Sequence, residues 1–357
     1  TTVLTQLKEA DRTYVTLDDW TERNLARTDP RMFLELHRAP VMIDEAQYAP
    51  ELFSYIKMQI DQNAEPGAFW LTGSQAFSMM RLAQESLAGR AALLHMPALS
   101  QHEIYSANSC LRTFSLELNA LQEAQKIGKP ADIMDIYTRI WQGSMPAFVS
   151  GRHPDRDVFY SSFLQTFVAR DLTELSGNVD RYRFVDFIRA AACRCGCLLN
   201  IAAIAQDVGV SPATAKHWLG ILEQSDLIFF LHPYANNLLK RTVKAPKLYF
   251  FDTGLVAYLT RHNDPETLAN GALCSQILEN YVVNQIRASF HNAGKECPLW
   301  YYRDFDQDEI DLLLEADGVL HPIEIKRMTT PNLSMTKTFK KLKNKNLPIG
   351  TGAVICN

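Results

Sequence analysis

Two short stretches bring carboxylates to places where they can do chemistry. The first, PVMIDEAQ (residues 40–47), is an apolar run that ends in Asp44 and Glu45. Such a run reads as a buried strand that delivers two adjacent acids to a sheet edge. The second, DEIDLLLEADGVLHPIEIKR (308–327), contains Asp317-Gly318, a strong signal for a two-residue hairpin. Reflecting the strands across that turn sets Asp311 opposite Glu324 and Glu309 opposite Lys326. Alternation puts these four on one face and Ile310, Leu312, Ile323 and Ile325 on the other. Directly opposed side chains lie roughly 5 Å apart at Cβ, close enough for two carboxylates to share a metal. Opposed acids repel unless a divalent ion or a lysine answers them. Each stretch also has a plain reading. Asp44-Glu45 can cap the next helix through its dipole, and the hairpin can carry solvated charges on an amphipathic edge.

The elements around the first pair are strands and helices in alternation. RTYVTLDD (12–19), RAPVMIDEAQ (38–47) and GAFWLTGSQ (67–75) read as three strands, and Gly73 turns the third. Between the last two, Leu52, Phe53, Ile56 and Ile60 recur at helical spacing behind Pro50. Strand–helix–strand alternation implies a parallel sheet with its chemistry at the strands' carboxyl ends. Those ends carry Asp18 and Asp19, Asp44 and Glu45, and Thr72, Ser74 and Gln75. Polar groups converging on one rim are what a Mg-nucleotide site requires. A phosphate loop of the form G-x-x-x-x-G-K-[ST] belongs upstream of such a strand, and the 357 residues contain none. The chain opens on TTVLTQLKEA, a helix without a start, with Val3, Leu4 and Leu7 spaced for one buried face. Thr1 and Thr2 fit the last position of that loop, so the chain is expected to begin just after its lysine.

YVTLDD, PVMIDEAQYAPELF, FWLTGSQAFSMM and ESLAGR together resemble consecutive blocks of an AAA-type P-loop ATPase family of bacteria and archaea. Members of that family carry an uncharacterised C-terminal region with a nuclease-like tail. The resemblance implies ATP and Mg²⁺ as cofactors of the intact protein. Carried over, Asp44 and Thr1 serve Mg²⁺, and Glu45 polarises the attacking water. Ser74 and Gln75 lie where a γ-phosphate sensor would sit. Arg90 stabilises transferred charge, in cis or in a neighbouring subunit of a homo-oligomer; its plain reading is a surface arginine paired with an acid.

Residues 100–190 read as helical, with the aromatics of VFYSSFLQTF forming a core stripe. LLNIAAIAQDVGVSPATAKHWLGILEQSDLIFFLHPY (198–234) has a helix-turn-helix pattern. Ser211 is its N-cap and Pro212 its first helical residue, with Ala215, Trp218, Leu219 and Leu222 facing the core. The strand LIFFLHPY and the basic LLKRTVKAPKLYFF complete a winged helix. Lys216 and His217 on the second helix, and Lys240, Arg241, Lys244 and Lys247 on the wing, are the expected donors to DNA or another nucleic acid. Few side chains of the second helix read bases. Nonspecific contact or interdomain packing is therefore favoured over sequence recognition.

The spacing D-x₁₂-E-x-K over Asp311, Glu324 and Lys326 resembles the restriction-endonuclease-like nuclease core. The resemblance implies that the acids hold Mg²⁺ and that the lysine orients water or stabilises developing charge. Glu279, on the preceding SQILENYVVNQIRASF helix, matches the additional acid of that fold.

The expected organisation is α/β. A parallel-sheet P-loop core (1–104) lacking its first strand and Walker A loop precedes a helical region (105–190). A winged helix (191–258) and a C-terminal α/β restriction-endonuclease-like domain (259–357) short of its last elements follow. The net charge of −4 leaves nucleic-acid contact to local basic patches. No long apolar run or signal peptide is present, so no membrane is expected and the reading is cytoplasmic. Of seven cysteines, Cys193, Cys195 and Cys197 are crowded. Thiolates bind zinc or copper, but the trio has no second cluster and no obvious fourth ligand. Reduced, partly buried cysteines closing a helix at Gly196 are the expected reading.

Overall fold

Val41–Asp44 is the apolar run that the sequence marks as a buried strand, and all four residues are buried. In the computed structural model it is the middle strand, β2, of a three-stranded parallel sheet with β1 (Thr13–Thr16) and β3 (Phe69–Leu71). The structure describes residues 2–63, 65–73, 76–105, 112–127, 131–152, 155–176, 180–235, 245–304, 306–343 and 347–356. The chain divides into two compact units, Thr1–Met96 and Pro97–Asn357.

In the first unit the register pairs Thr16 with Asp44 and Ile43 with Leu71, which brings three strand ends to one rim. Leu52, Phe53 and Ile56 of the Glu51–Asn63 helix are fully buried against Val41 and Ile43. Two expectations fail here. Asp19 is not free at the rim, because it caps the Trp20–Thr28 helix by accepting from the Thr21 and Glu22 amides. The Thr2–Leu7 helix buries no residue, and Val3 and Leu7 are exposed. At six residues it is under two turns, too short to present a continuous apolar stripe.

In the second unit, residues that the sequence assigns to helical, winged-helix and C-terminal segments share one continuous core, from Leu116 to Ile325. The helices Ile201–Val208 and Pro212–Gln224 form the expected helix-turn-helix. Gly209 closes the first at φ 70°, and Ser211 caps the second by accepting from the Thr214 amide. Trp218 meets Phe184 and Phe187 edge-on, each with ring centres 5.2 Å apart. Strands β4 (Ile228–Leu231) and β5 (Lys247–Phe250) pair antiparallel behind it.

The last sheet runs β6 (Leu299–Arg303), β7 (Glu309–Ala316), β8 (Val319–Lys326), β9 (Ala353–Cys356). The first two pairings are antiparallel and β8–β9 is parallel. Asp317 (φ 50°) and Gly318 (φ 75°) make the β7–β8 turn, both left-handed as such a hairpin demands. The Cys274–Asn292 helix packs on β8. Among the described residues no helix is long and apolar enough to cross a membrane.

Candidate functional site

In the first unit Asp44 is 6% exposed at the end of β2, so its carboxylate must find partners inside the protein. Thr72 Oγ1 donates a short hydrogen bond to Oδ1, and Tyr14 OH donates to Oδ2 at 3.0 Å. Burial, then the Asp44 carboxylate, pushes the Tyr14 phenol pKa up. Tyr14 lies in β1 and Thr72 directly follows β3, so the parallel register brings both donors to Asp44.

Glu45 follows in the left-handed region at φ 56° and makes no side-chain cap bond to the Ala46–Tyr48 turn. The capping reading of the pair therefore fails for Glu45. Its Oε2 accepts from Gln47 Nε2 at 2.5 Å. A non-glycine residue at such φ carries strain, and strain of that kind gathers at functional sites. Gln47 Oε1 is buried without a hydrogen-bond partner among the described residues. It lies against Gly73, where a Cβ would collide with it and with Met79.

The other residues expected at this site are placed differently. Thr2 is exposed at the start of the first helix. Arg90 donates from Nε (2.5 Å) and Nη2 (3.1 Å) to both oxygens of Asp61, a two-pronged surface pair within the same unit. Thr1, Ser74 and Gln75 lie outside the described residues.

In the second unit, the β7–β8 ladder runs from Ala316↔Val319 to Leu312↔Ile323, the register that the turn dictates. One residue beyond it, Asp311 Oδ2 accepts the Ile325 amide at 2.8 Å, so a side chain takes the place of a backbone acceptor. Asp311 is 8% exposed and Glu324 3%. That burial excludes the solvated-edge reading. Lys326 Nζ bridges them, 2.9 Å from Asp311 Oδ2 and 2.6 Å from Glu324 Oε2. Burial works against the Lys326 charge, yet the two acids outweigh it and raise its pKa. Burial, then the Asp311 carboxylate, pushes Glu324 up to about 8.

Glu309 does not meet Lys326. It pairs instead with Lys247 Nζ at 2.6 Å and with Arg303 at 3.5 Å. Lys247, expected on a solvated wing, has a side chain only 4% exposed and also reaches Glu279 Oε1 at 2.9 Å. Tyr249 OH donates to the same Glu279 oxygen at 2.5 Å. Burial opposes the Lys247 charge, but Glu279 and Glu309 outweigh it and raise its pKa. Glu279 is itself raised, first by burial, against the pull of Lys247. A lone lysine within the buried run KLYF was the signal available in the sequence, since a lysine is rarely buried unless paired.

Four acids thus face Lys247, Lys326 and the more distant Arg303, and two of the acids are pushed towards their protonated forms. A donor set of buried carboxylate oxygens that lacks positive charge fits a hard divalent cation. The lysines interleave with the acids, however, and Glu279, Asp311 and Glu324 do not all lie within 4.8 Å of one another. Asp304, Asp306 and Asp308 do cluster so closely, but Lys341 reaches all three.

Lys216 and His217 are exposed on the second helix of the helix-turn-helix, whereas Lys240, Arg241 and Lys244 lie outside the described residues. Cys193 is exposed while Cys195 is buried, with Sγ donating to Asn280 Oδ1 at 2.7 Å. Among the described residues the cysteine trio forms no metal-ligating group.

Residues 1–105 match the family model of an AAA domain. Residues 133–266 and 275–357 match two models each described as a domain of unknown function (DUF8612 and DUF4143). The chain is 28% identical over 308 residues to Uncharacterized protein Rv2008c of Mycobacterium tuberculosis and to Uncharacterized protein Mb2031c of Mycobacterium bovis. The match covers 86% of this chain, which spans 63% of the length of those curated relatives. No solved structure matches. With Asp44 and Glu45 ending the middle strand of a parallel sheet, the N-terminal unit is similar to an AAA domain and is ATPase-like at that level.

Proposed function

We propose that the intact protein is an AAA-type ATPase whose N-terminal unit hydrolyses ATP and whose nucleotide state moves the C-terminal region. The observation that carries this is Glu45, held in a left-handed turn directly after the buried Asp44, whose carboxylate accepts from Tyr14 and Thr72. Bound Mg²⁺ would neutralise phosphate charge, and Asp44 and Thr1 are the residues that would hold it, with Thr2 beside them at the nucleotide. Glu45 polarises the attacking water once it parts from Gln47. Ser74 and Gln75 sense the γ-phosphate. Arg90 acts on the transferred charge, in cis or across a homo-oligomer, only after leaving Asp61. The described residues fit the metal-and-water side of such a site, and the phosphate-cradling motif is not among the 357 residues. The test is ATP turnover by the intact protein. Glu45→Gln should lower kcat by about 100-fold or more, and an unchanged kcat would refute the assignment.

A second reading concerns the C-terminal cluster, and the buried Asp311–Lys326–Glu324 arrangement favours it. We infer a divalent-metal site for phosphodiester hydrolysis in nucleic acid. Asp311 and Glu324, with Glu279, would hold the metal once Lys326 and Lys247 part from them, and Lys326 would orient water or stabilise developing charge. Lys216 and His217, with Lys240, Arg241 and Lys244, give nonspecific phosphate contacts. The test is incubation of DNA and RNA with Mg²⁺ or Mn²⁺. Cleavage should vanish in Asp311→Ala and Lys326→Ala, and cleavage that survives both rules the site out.

A further inference from the structure

The Pro97–Asn357 unit contains a cavity whose lining includes none of the acid-cluster residues. This cavity of about 230 Å³ lies between residues 97–101, Arg139, Phe251 and the last turns of the Cys274–Asn292 helix. Leu99, Phe251, Tyr281 and Ala288 supply apolar wall. Arg139, Arg287 and Lys295 also line it, against the single carboxylate of Glu296.

Arg287 is the unusual member. Its guanidinium stacks 3.6 Å from the centre of the Phe229 ring and 5.0 Å from that of Phe251. Stacking satisfies the face of a guanidinium, while its in-plane N–H groups still require acceptors. Among the described residues Arg287 makes no ion pair, and its Nη1 is buried with no hydrogen-bond partner. Gln101 also lines the cavity, and its Oε1 is buried and without a partner among the described residues. Orphaned polar atoms are rare inside folded proteins, and each calls for a reason. Both residues line the cavity although these two atoms lie beneath its surface, so the cavity presents an arginine without an ion pair among the described residues against a largely apolar wall.

We propose that this cavity binds a small molecule carrying an oxyanion, a carboxylate or phosphate monoester, on a compact apolar body. The oxyanion meets the Arg287 guanidinium, with Arg139 and Lys295 adding positive potential, and the body packs on Phe251 and Tyr281. The volume equals that of about eight waters, which admits a compact molecule. This site stands independently of the ATPase and metal readings.

The test is calorimetric titration of the folded chain with four probes. Benzoate and phenyl phosphate carry the two oxyanions on one apolar ring, benzyl alcohol is the neutral counterpart, and inorganic phosphate is the bare anion. Saturable binding of benzoate or phenyl phosphate is expected, and the tighter of the two identifies the oxyanion. Benzyl alcohol and inorganic phosphate should bind at least about tenfold more weakly, the loss expected of one charge-assisted contact. Arg287→Met and the partly exposed Arg139→Gln should each weaken the better probe by about tenfold or more. If Arg287→Met fails to fold, Arg139→Gln decides. Binding unchanged in the folded variants, benzyl alcohol as tight as benzoate, or a cavity that takes neither oxyanion and holds water only, overturns the proposal.

Discussion

Lys247 Nζ lies 2.9 Å from Glu279 Oε1, joining the strand behind the helix-turn-helix to the helix that packs on the C-terminal sheet. The lysine side chain is 4% exposed and its other partner, Glu309, belongs to β7. One ammonium group therefore ties three elements of the unit together.

Removing that ammonium leaves two largely buried carboxylates with less compensation. Breaking a buried pair from one side costs about 3–5 kcal/mol. Lys247→Met should lower unfolding stability by that order, read by urea denaturation. A wing lysine that merely touches phosphate would instead leave stability unchanged and reduce the salt dependence of nucleic-acid binding.

The pH dependence of the metal-free protein has a defined sign at Glu324. Its folded pKa of about 8 stands above the ordinary 4.5. Below 4.5 the group is protonated folded and unfolded alike, and its contribution to stability is fully present. As pH rises towards 8 the unfolded state has released its proton while the folded state retains it, so stability falls. In a chelating buffer, wild type should lose stability relative to Glu324→Gln between about pH 4.5 and 8. A difference between the two proteins that is flat over that window contradicts the assignment.

On the metal reading, ligands and lysine separate by experiment. Asp311→Asn and Glu324→Gln should weaken Mn²⁺ binding by about tenfold or more, measured by titration calorimetry. Lys326→Ala should keep Mn²⁺ binding while losing cleavage. Mn²⁺ affinity indifferent to both acids would remove the site from consideration.

Glu45 offers a trade between stability and activity. Glycine occupies left-handed φ without the cost of about 1–2 kcal/mol that other residues bear. Glu45→Gly should therefore cost no stability, and raise it by up to about 1 kcal/mol, while the intact protein loses ATP turnover. A variant that is both less stable and fully active would show that φ 56° is neither strained nor functional.

Thr72→Val tests the outer strand's role. It removes one hydrogen bond to the Asp44 carboxylate and leaves that of Tyr14. Turnover by the intact protein should fall by about tenfold, the worth of one hydrogen bond to a charged group. An unchanged kcat would mean that the Thr72 hydrogen bond is not needed to orient Asp44.

Much of both sites was legible because short-range rules governed it. An Asp-Gly turn fixes its own register, and so Asp311 and Glu324 came together across the hairpin, while Lys326, which that register sets opposite Glu309, bridges the two acids instead. The apolar run before Asp44 marked a buried strand by composition alone, and Ser211-Pro212 marked a helix start by its cap. Asp19 was misread because a strand end and a helix cap look alike in sequence; only the amides of Thr21 and Glu22 decide between them.

By itself the sequence determined that Asp44 ends a buried strand, where the hairpin turns, and where the second helix of the helix-turn-helix begins, since each depends on residues within a few positions. The tertiary structure alone decided which cation answers which acid. Lys247 meets Glu279 across 32 residues of chain, and Glu309 takes Lys247 where local pairing would have given it Lys326. Local sequence pattern carries turn and strand preferences but not the packing of one element over another. Buried charges choose partners by proximity in the folded core, where unpaired charge is too costly to remain.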